Sequence, residues 1–168
     1  MKGALKAKKC GPENLVDAKS GQTGKGETEL SSLLTGLSPV IVAGDYWYCL
    51  VSEAQLKAIA PEHIQGMFRE AEGITLIVRQ TKAQSSQLSA QVTDIAGPFA
   101  CITCQVHSSL EAVGLTAAMA QALTRHNISA NVVAGFYHDH LFVAAQDASR
   151  ACEVLARLGA ESTAADQS

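Results

Sequence analysis

The sequence has little excess charge of either sign and no long run of apolar residues. Its 168 residues include 13 Lys and Arg against 16 Asp and Glu, which gives a net charge of −3. Nucleic-acid binding depends largely on Lys and Arg contacts to phosphate, so this balance predicts no nucleic-acid partner. No apolar run approaches the roughly eighteen residues of a membrane-spanning helix, so we expect no membrane partner either.

Signals for export and for a disulfide framework are also lacking. The first ten residues contain lysines, but no apolar block follows them, so they do not resemble a secretory signal. The cysteines are few, odd in number and irregularly spaced: Cys10, Cys49, Cys101, Cys104 and Cys152. Such a set does not form a regular disulfide framework. The sequence therefore predicts a reducing, cytoplasmic location.

Apolar residues nevertheless make up 47% of the chain, which is enough for a substantial buried core. They are distributed unevenly. Residues 1–30 are rich in Lys, Gly, Glu, Ser and Thr and show no apolar periodicity, which predicts a disordered N-terminal extension. We expect order to begin near Leu37. Residues 160–168 are predicted to form a flexible tail for the same reason.

Two apolar runs open the ordered part of the chain. Pro39–Ala43 and Tyr46–Val51 are typical of strands, the second through its aromatic and β-branched residues. Gly44 and Asp45 lie between them, and this pair predicts a tight hairpin turn.

A helix and a further strand are expected next. Ser52, followed three positions later by Gln55, matches a capping box and predicts a helix over Glu53–Ala60 that ends before Pro61. Ile74–Arg79 is typical of a strand. Gly97-Pro98 then punctuates the chain.

The second half shows clearer periodicity. Ile102, Cys104 and Val106 alternate with polar residues, as in a half-buried strand. An apolar stripe at helical spacing follows, then two short strands around 131–134 and 141–144, and a last helix over 147–158. The order strand, helix, strand, strand, helix predicts an α+β fold with helices on one face of an antiparallel sheet.

Several histidines could in principle bind a metal. His138 and His140 share a face of an extended strand, and they could hold zinc if His107 or Glu111 converged on them. No further ligand stands at a recognisable spacing, so we predict no metal site. A small metal-dependent enzyme that uses the three histidines remains an alternative hypothesis.

Other reactive residues are poorly spaced for catalysis. Cys101 and Cys104 are three apart on a predicted strand, so they point to opposite faces rather than forming a zinc or redox pair. Ser108 or Ser109 could act with a histidine and Asp139 as a hydrolase, but no Gly-x-Ser-x-Gly motif is present. The sequence therefore predicts no catalytic residue and no cofactor.

Three segments resemble a known family. In the second half these are Val106–Leu115 and Asn131–Val143, with a Gly-containing turn that opens a helix and an Asn at the start of the next strand. In the first half the similar segment is Phe68–Leu76. The pattern resembles the ACT domain, and more narrowly a bacterial family of small tandem ACT-like proteins related to the CASTOR arginine sensors. The resemblance implies ferredoxin-like βαββαβ units over residues 31–96 and 97–159.

The resemblance also implies a role. ACT units bind amino acids or related small molecules and pass the signal to a partner. We therefore expect a regulatory sensor and not an enzyme. Its expected ligand is a small molecule of the amino-acid class. The protein that it regulates is not indicated, and the resemblance allows a homodimer. A purely structural dimerisation module is a further alternative.

The resemblance places the ligand site in the second unit. The residues that it implies are Ser109, Glu111, Val113, Gly114, Leu115, Asn131 and Asp139. Ser108 and Glu111 alternatively match a capping box, which would start the helix at Ser109. We prefer a turn at Gly114 and a helix that begins near Leu115. Asp139 matches an acidic ligand contact, although a turn aspartate would explain it equally well.

Overall fold

A computed structural model describes residues 8–9, 27–80 and 87–165. The strands within these ranges are β1 (Lys8–Lys9), β2 (Pro39–Val51), β3 (Ile64–Arg69), β4 (Ile74–Gln80), β5 (Asp94–Cys104), β6 (Ala130–Ala134) and β7 (Asp139–Ala144). The main helices are α1 (Leu30–Thr35), α2 (Glu53–Leu56), α3 (Leu115–Arg125) and α4 (Ala148–Ala165). Short 3₁₀ turns occupy Pro61–His63 and Ala145–Asp147.

All these strands form one antiparallel sheet in the order β3-β4-β2-β5-β7-β6, with β1 also paired to β2. Pro39–Val42 of β2 pairs with Cys101–Cys104 of β5, while Tyr46–Leu50 pairs with Asp94–Phe99. Each of these long strands therefore serves two ferredoxin-like units. The first unit combines β2, β3, β4 and the start of β5; the second combines the end of β5, β6, β7 and the start of β2.

The predicted hairpin at Gly44 and Asp45 is wrong, because β2 runs unbroken from Pro39 to Val51. Gly44 does adopt a positive φ of 119°. It uses this conformation at a shift in register between Val42 and Tyr46 rather than at a chain reversal. A glycine with positive φ suits a tight turn and a bulge alike, so the local sequence could not separate the two.

The helices cover one face of the sheet and form two core clusters there. In the second unit Leu33 of α1, Met119 of α3 and Leu155 of α4 pack over Ile102 and Leu141. In the first unit residues of β2 and β4 pack with the connecting segments, and the buried members are Cys49, Val51, Ile59, Ile74, Leu76, Val78 and Leu88. This confirms the predicted α+β arrangement with helices on one face.

The opposite face of the sheet, called the open face below, carries an aromatic cluster. Tyr46 and Phe142 are fully buried there beside Ile77 and Cys101, with the two ring centroids 5.5 Å apart. Cys104 lies in the helix-side core, so Cys101 and Cys104 do point to opposite faces as predicted. Burial raises the pKa of the Cys101 thiol to about 11.

Ordered structure extends beyond the predicted limits at both ends. Helix α1 precedes Leu37, where we expected order to begin, because Leu33 is fully buried against α3 and α4. Most of the predicted extension over residues 1–30 lies outside the described residues. At the other end α4 continues to Ala165, past the predicted limit at residue 158. Gly159 permits this close packing, since a Cβ there would lie 3.0 Å from the carbonyl oxygen of Leu34.

Among the described residues, no helix is long and apolar enough to cross a membrane.

We predict that Gly97→Ala strongly destabilises the protein. Gly97 has a φ of 142°, and an added Cβ would lie 2.9 Å from both the Trp47 ring and the Tyr46 carbonyl oxygen. The strain and the clash together should lower the free energy of unfolding by about 2 kcal/mol or more. Urea denaturation measures this. Gly66→Ala is the matched control, because its Cβ would only reach ordinary contact with Ile77 at 3.4 Å. Equal losses for the two variants would contradict the prediction.

Candidate functional site

Gly114 forms the turn that opens helix α3. Its φ is 99°, in the left-handed region, and the helix begins at Leu115. This confirms the predicted turn at Gly114 and rules out the capping-box alternative with a helix start at Ser109. No described side chain caps the helix, and the first helical bond runs from the Ala118 N–H to the Gly114 carbonyl, at 2.9 Å. The N–H groups of the first turn are therefore available to an anion.

The loop before Gly114 is stabilised by its own polar groups. The Ala112 N–H donates to the Ser109 carbonyl at 3.0 Å, and the Glu111 N–H donates to the Ser109 hydroxyl at 3.2 Å. Ser109 also donates its own N–H to the carbonyl of Glu27, at 2.9 Å. Ser109 thus satisfies backbone groups of this loop, and the side chain of Glu111 is exposed.

Asp139 begins strand β7 and is only 5% exposed. It pairs in register with Cys104 at the end of β5 and with Ala134 at the end of β6. Asp139 lies two positions before Leu141, so the two side chains share a face of β7. Because Leu141 packs in the helix-side core, the Asp139 carboxylate lies on the same side of the sheet as α3. The Sγ of Cys104 lies 3.6 Å from the Sδ of Met119, which ties this end of the sheet to α3.

The Ser108 hydroxyl faces the Asp139 carboxylate, and hydrogen bonding between them lowers the pKa of that carboxyl. Ser108 and Asp139 are the two buried polar residues of the described chain. Burial raises the pKa of Asp139, while nearby His140, the Ser108 hydrogen bond and His138 act in the opposite direction. Burial is the largest of these influences, so the ionised carboxylate is held in an unfavourable environment.

The structure does not bring all the predicted ligand residues together. Leu115 is 3% exposed and packs in the helix-side core, while Val113 is 83% exposed. Asn131 pairs in register with Phe142 of the open face. It lies three positions before Ala134, about 10 Å along the strand from the Asp139 end. Gly114 and Asp139 share one end of the second unit, and Asn131 does not.

The histidines each have a partner of their own. His140 Nδ1 and the Thr103 hydroxyl share a hydrogen bond at 2.9 Å, and His138 Nδ1 lies 3.1 Å from the Val106 carbonyl oxygen. The His107 ring lies 5.1 Å from the ring of Tyr137. Within 8–9, 27–80 and 87–165, no three His, Cys, Asp or Glu side chains converge as metal ligands would. The geometry therefore gives the metal-dependent alternative no support.

Two features of this end were missed in the sequence. One is Ser108 as the partner of Asp139. The alternation of Ile102, Cys104 and Val106 continues to Ser108, which could have marked it as an inward-facing residue. The other is a set of exposed apolar side chains in the two loops at this end: Leu110, Val113, Phe136 and Tyr137.

Comparison with known proteins identifies the class of the chain. ACT-domain family models match residues 25–93 and residues 97–157. The chain therefore belongs to the ACT-domain family and carries two such domains in tandem, as the resemblance implied. No sequence among curated proteins matches it.

Solved structures agree with this assignment. A Vibrio cholerae protein of unknown function, described as a possible transport protein, is 42% identical over 77% of this chain and 95% of that one, with a TM-score of 0.65. An Agrobacterium tumefaciens protein is 21% identical over 69% of this chain and 84% of its own, with a TM-score of 0.51.

The regulatory subunit of aspartate kinase from Thermus flavus is 11% identical over 73% of this chain and 96% of its own, with a TM-score of 0.52. The similarities to the Agrobacterium tumefaciens and Thermus flavus proteins show the fold alone. The narrower relation to the CASTOR sensors stays a prediction.

Asp139→Asn should alter how stability depends on pH. The folded-state pKa of Asp139 is raised above its ordinary value, so this group favours folding at low pH and loses that contribution as pH rises through the folded pKa. Asparagine keeps the shape without the charge. We expect the melting temperature of the variant, relative to that of the wild type, to increase as the pH rises from about 4 to about 7. Thermal unfolding across this range tests it, and a constant difference would contradict it.

Proposed function

We propose that this protein is a regulatory sensor, without catalytic activity, that binds an α-amino acid in its second unit. The observation that carries the proposal is the pairing of opposite polarities at one end of that unit. Gly114 opens a helix whose first N–H groups have no side-chain cap, and Asp139 places a buried carboxylate at the same end. An amino acid carries both complementary charges, a carboxylate for the helix start and an ammonium for Asp139.

The state of Asp139 gives a reason for binding a cation. Its carboxylate is buried, and the hydrogen bond from the neutral Ser108 hydroxyl is a weak compensation for an ionised group. An ammonium group would add the attraction between opposite charges to its hydrogen bond, which the neutral Ser108 hydroxyl cannot supply. In this proposal the ligand amine takes the place of Ser108, or shares the carboxylate with it.

The same contacts disfavour a catalytic role. The Ser108 hydroxyl faces a carboxylate. Among the described residues no histidine forms a hydrogen bond with it, as the base of the usual hydrolase arrangement would. The Nδ1 atoms of His138 and His140 already contact Val106 and Thr103. Ligand binding, rather than conversion, is the function that these partners support.

A signal could leave the site through the segment before α1. The Glu27 N–H donates to the His107 carbonyl at 3.0 Å, and the Ser109 N–H returns a bond to Glu27. Leu30 lies beside Gly114, since a Cβ on that glycine would be 3.1 Å from a Leu30 methyl group. A ligand that orders this loop would therefore also stabilise the start of α1. The exposed apolar residues Leu110, Val113, Phe136 and Tyr137 would then border the surface offered to a regulated partner.

Thermal unfolding with a panel of the common amino acids tests the proposal. One or a few should raise the melting temperature, because a ligand present at 100 times its Kd stabilises the folded state by about 2.7 kcal/mol. For a chain of this size that is a shift of roughly 5–10 °C. A panel without any shift would count decisively against an amino-acid sensor.

The Asp139→Asn variant tests whether the ligand-induced shift in melting temperature comes from binding at this site. The variant should lose the response to the amino acid that stabilises the wild type, because an amide offers no charge to the ammonium. Asp147→Asn, in the 3₁₀ turn at the opposite end of β7, should keep it. If both variants respond like the wild type, the ligand binds elsewhere. Light scattering with and without ligand distinguishes a sensor from a dimerisation module, whose assembly would not respond.

A further inference from the structure

The first unit carries a shallow cleft on the open face of the sheet, with a volume of about 230 Å³. It lies where β4, β2 and β5 run side by side. Its lining residues are Tyr48, Cys49, Leu50, Thr75, Asp94, Ile95 and Ala96. Asp94 is the first residue of β5 and Cys104, the neighbour of Asp139, is the last. The cleft and the site in the second unit therefore lie at opposite ends of β5.

Strand register shows how the cleft is built. Phe68, Thr75, Leu50 and Asp94 are direct partners across four strands and form one row on the open face. The next row consists of Gly66, Ile77, Tyr48 and Ala96. Ala96, the small direct partner of Tyr48 in this row, leaves space beside Tyr48.

An irregularity in β5 shapes the same region. Tyr46 pairs with Phe99 but Tyr48 pairs with Ala96, so two positions of β2 face three of β5. The extra residue falls at Gly97, whose positive φ allows the strand to bulge against Trp47. Such bulges redirect side chains and occur frequently beside functional sites.

The charged groups around the cleft are acidic. Asp94 lines it directly, and the carboxylate of Glu70 accepts a hydrogen bond from the Thr75 hydroxyl at its other side. None of the seven lining residues is basic. Arg69, the nearest cation along β3, is already paired with Glu53. The floor between the two carboxylates is apolar, with Leu50 and the ring of Tyr48.

We propose that this cleft binds a compact organic cation, an amine attached to a short apolar body. The amine contacts Asp94 and the apolar body lies over Leu50 and beside Ala96. The volume is below the roughly 300–1,000 Å³ of drug-sized ligand pockets, so the ligand is small. This binding site is separate from the amino-acid site and does not depend on it.

Titration of the full chain with cyclohexylamine, followed by amide NMR, tests the proposal at neutral pH. The amide signals of Leu50, Thr75, Asp94 and Ala96 should shift together with one Kd. Cyclohexanol, which has the same ring without the charge, should bind at least about threefold more weakly, and cyclohexanecarboxylate more weakly still. Absence of these shifts, or equal binding of amine and carboxylate, would overturn the proposal.

Variants assign the contacts. Asp94→Asn should weaken amine binding at least about threefold, because it removes the charge but keeps the oxygen that accepts the Ile95 N–H. Ala96→Leu should block the cleft sterically. Glu161→Gln, an exposed change on α4, and Asp139→Asn should both leave the amine Kd unaltered. An unchanged Kd in Asp94→Asn contradicts the proposal even if Ala96→Leu does not fold, and Asp139→Asn separates this site from the amino-acid site.

Discussion

The pairing of the two long strands, β2 and β5, constrains everything else in the molecule. Each strand changes partners along its length: β2 pairs with β4 only from Asp45 onward, and β5 pairs with β7 only from Phe99 onward. Their mutual pairing spans both regions. Each ferredoxin-like unit is therefore completed by half of a strand that also belongs to the other. Separating the units would break main-chain hydrogen bonds in both, so we expect them to unfold together.

This arrangement needs flexibility at the point where the strands change partners. The two register shifts flank Tyr46, one toward Val42 and one toward Tyr48. Gly44 and Gly97 supply positive φ values at these shifts, and Tyr46 packs against Phe142 between them. The strands then present opposite ends to different loops. The amino-acid site proposed near Asp139 and the cleft at Asp94 are about 30 Å apart along β5 and on opposite faces of the sheet.

The sequence predicted local features well where local interactions decide them. The capping box of Ser52 and Gln55 is present, and Gly114 opens α3 as expected. The faces of Cys101 and Cys104 follow from simple alternation. Gly44 was misinterpreted because the partner that keeps β2 straight, β5, is some fifty residues away in the chain. Helix α1 was missed because it has only 6 residues and a single buried one, Leu33, whose contacts come from α3 and α4.

The candidate site shows the same division. The turn at Gly114 is a local property, and its prediction was confirmed. The bond between Ser108 and Asp139 joins residues 31 positions apart, and no pattern near either one specifies it. Asn131 was grouped with them by resemblance, but strand register puts it farther down β6 and beside Phe142. Register depends on the whole sheet, so a motif read along the chain can give the element correctly and still misplace the side chain.

A buried carboxylate is an unfavourable element of a fold unless it has a function or a strong partner. Asp139 has one neutral donor, Ser108, and its pKa is raised by burial. An apolar residue at this position would pack with Leu141 and Cys104 without that cost. Retaining the charge makes the free protein less stable at neutral pH than it could be. A cationic ligand would remove the same cost on binding, so binding would raise the free energy of unfolding of the protein. A sensor requires such coupling between ligand binding and stability. A site whose polar groups are already fully satisfied would change little when its ligand binds.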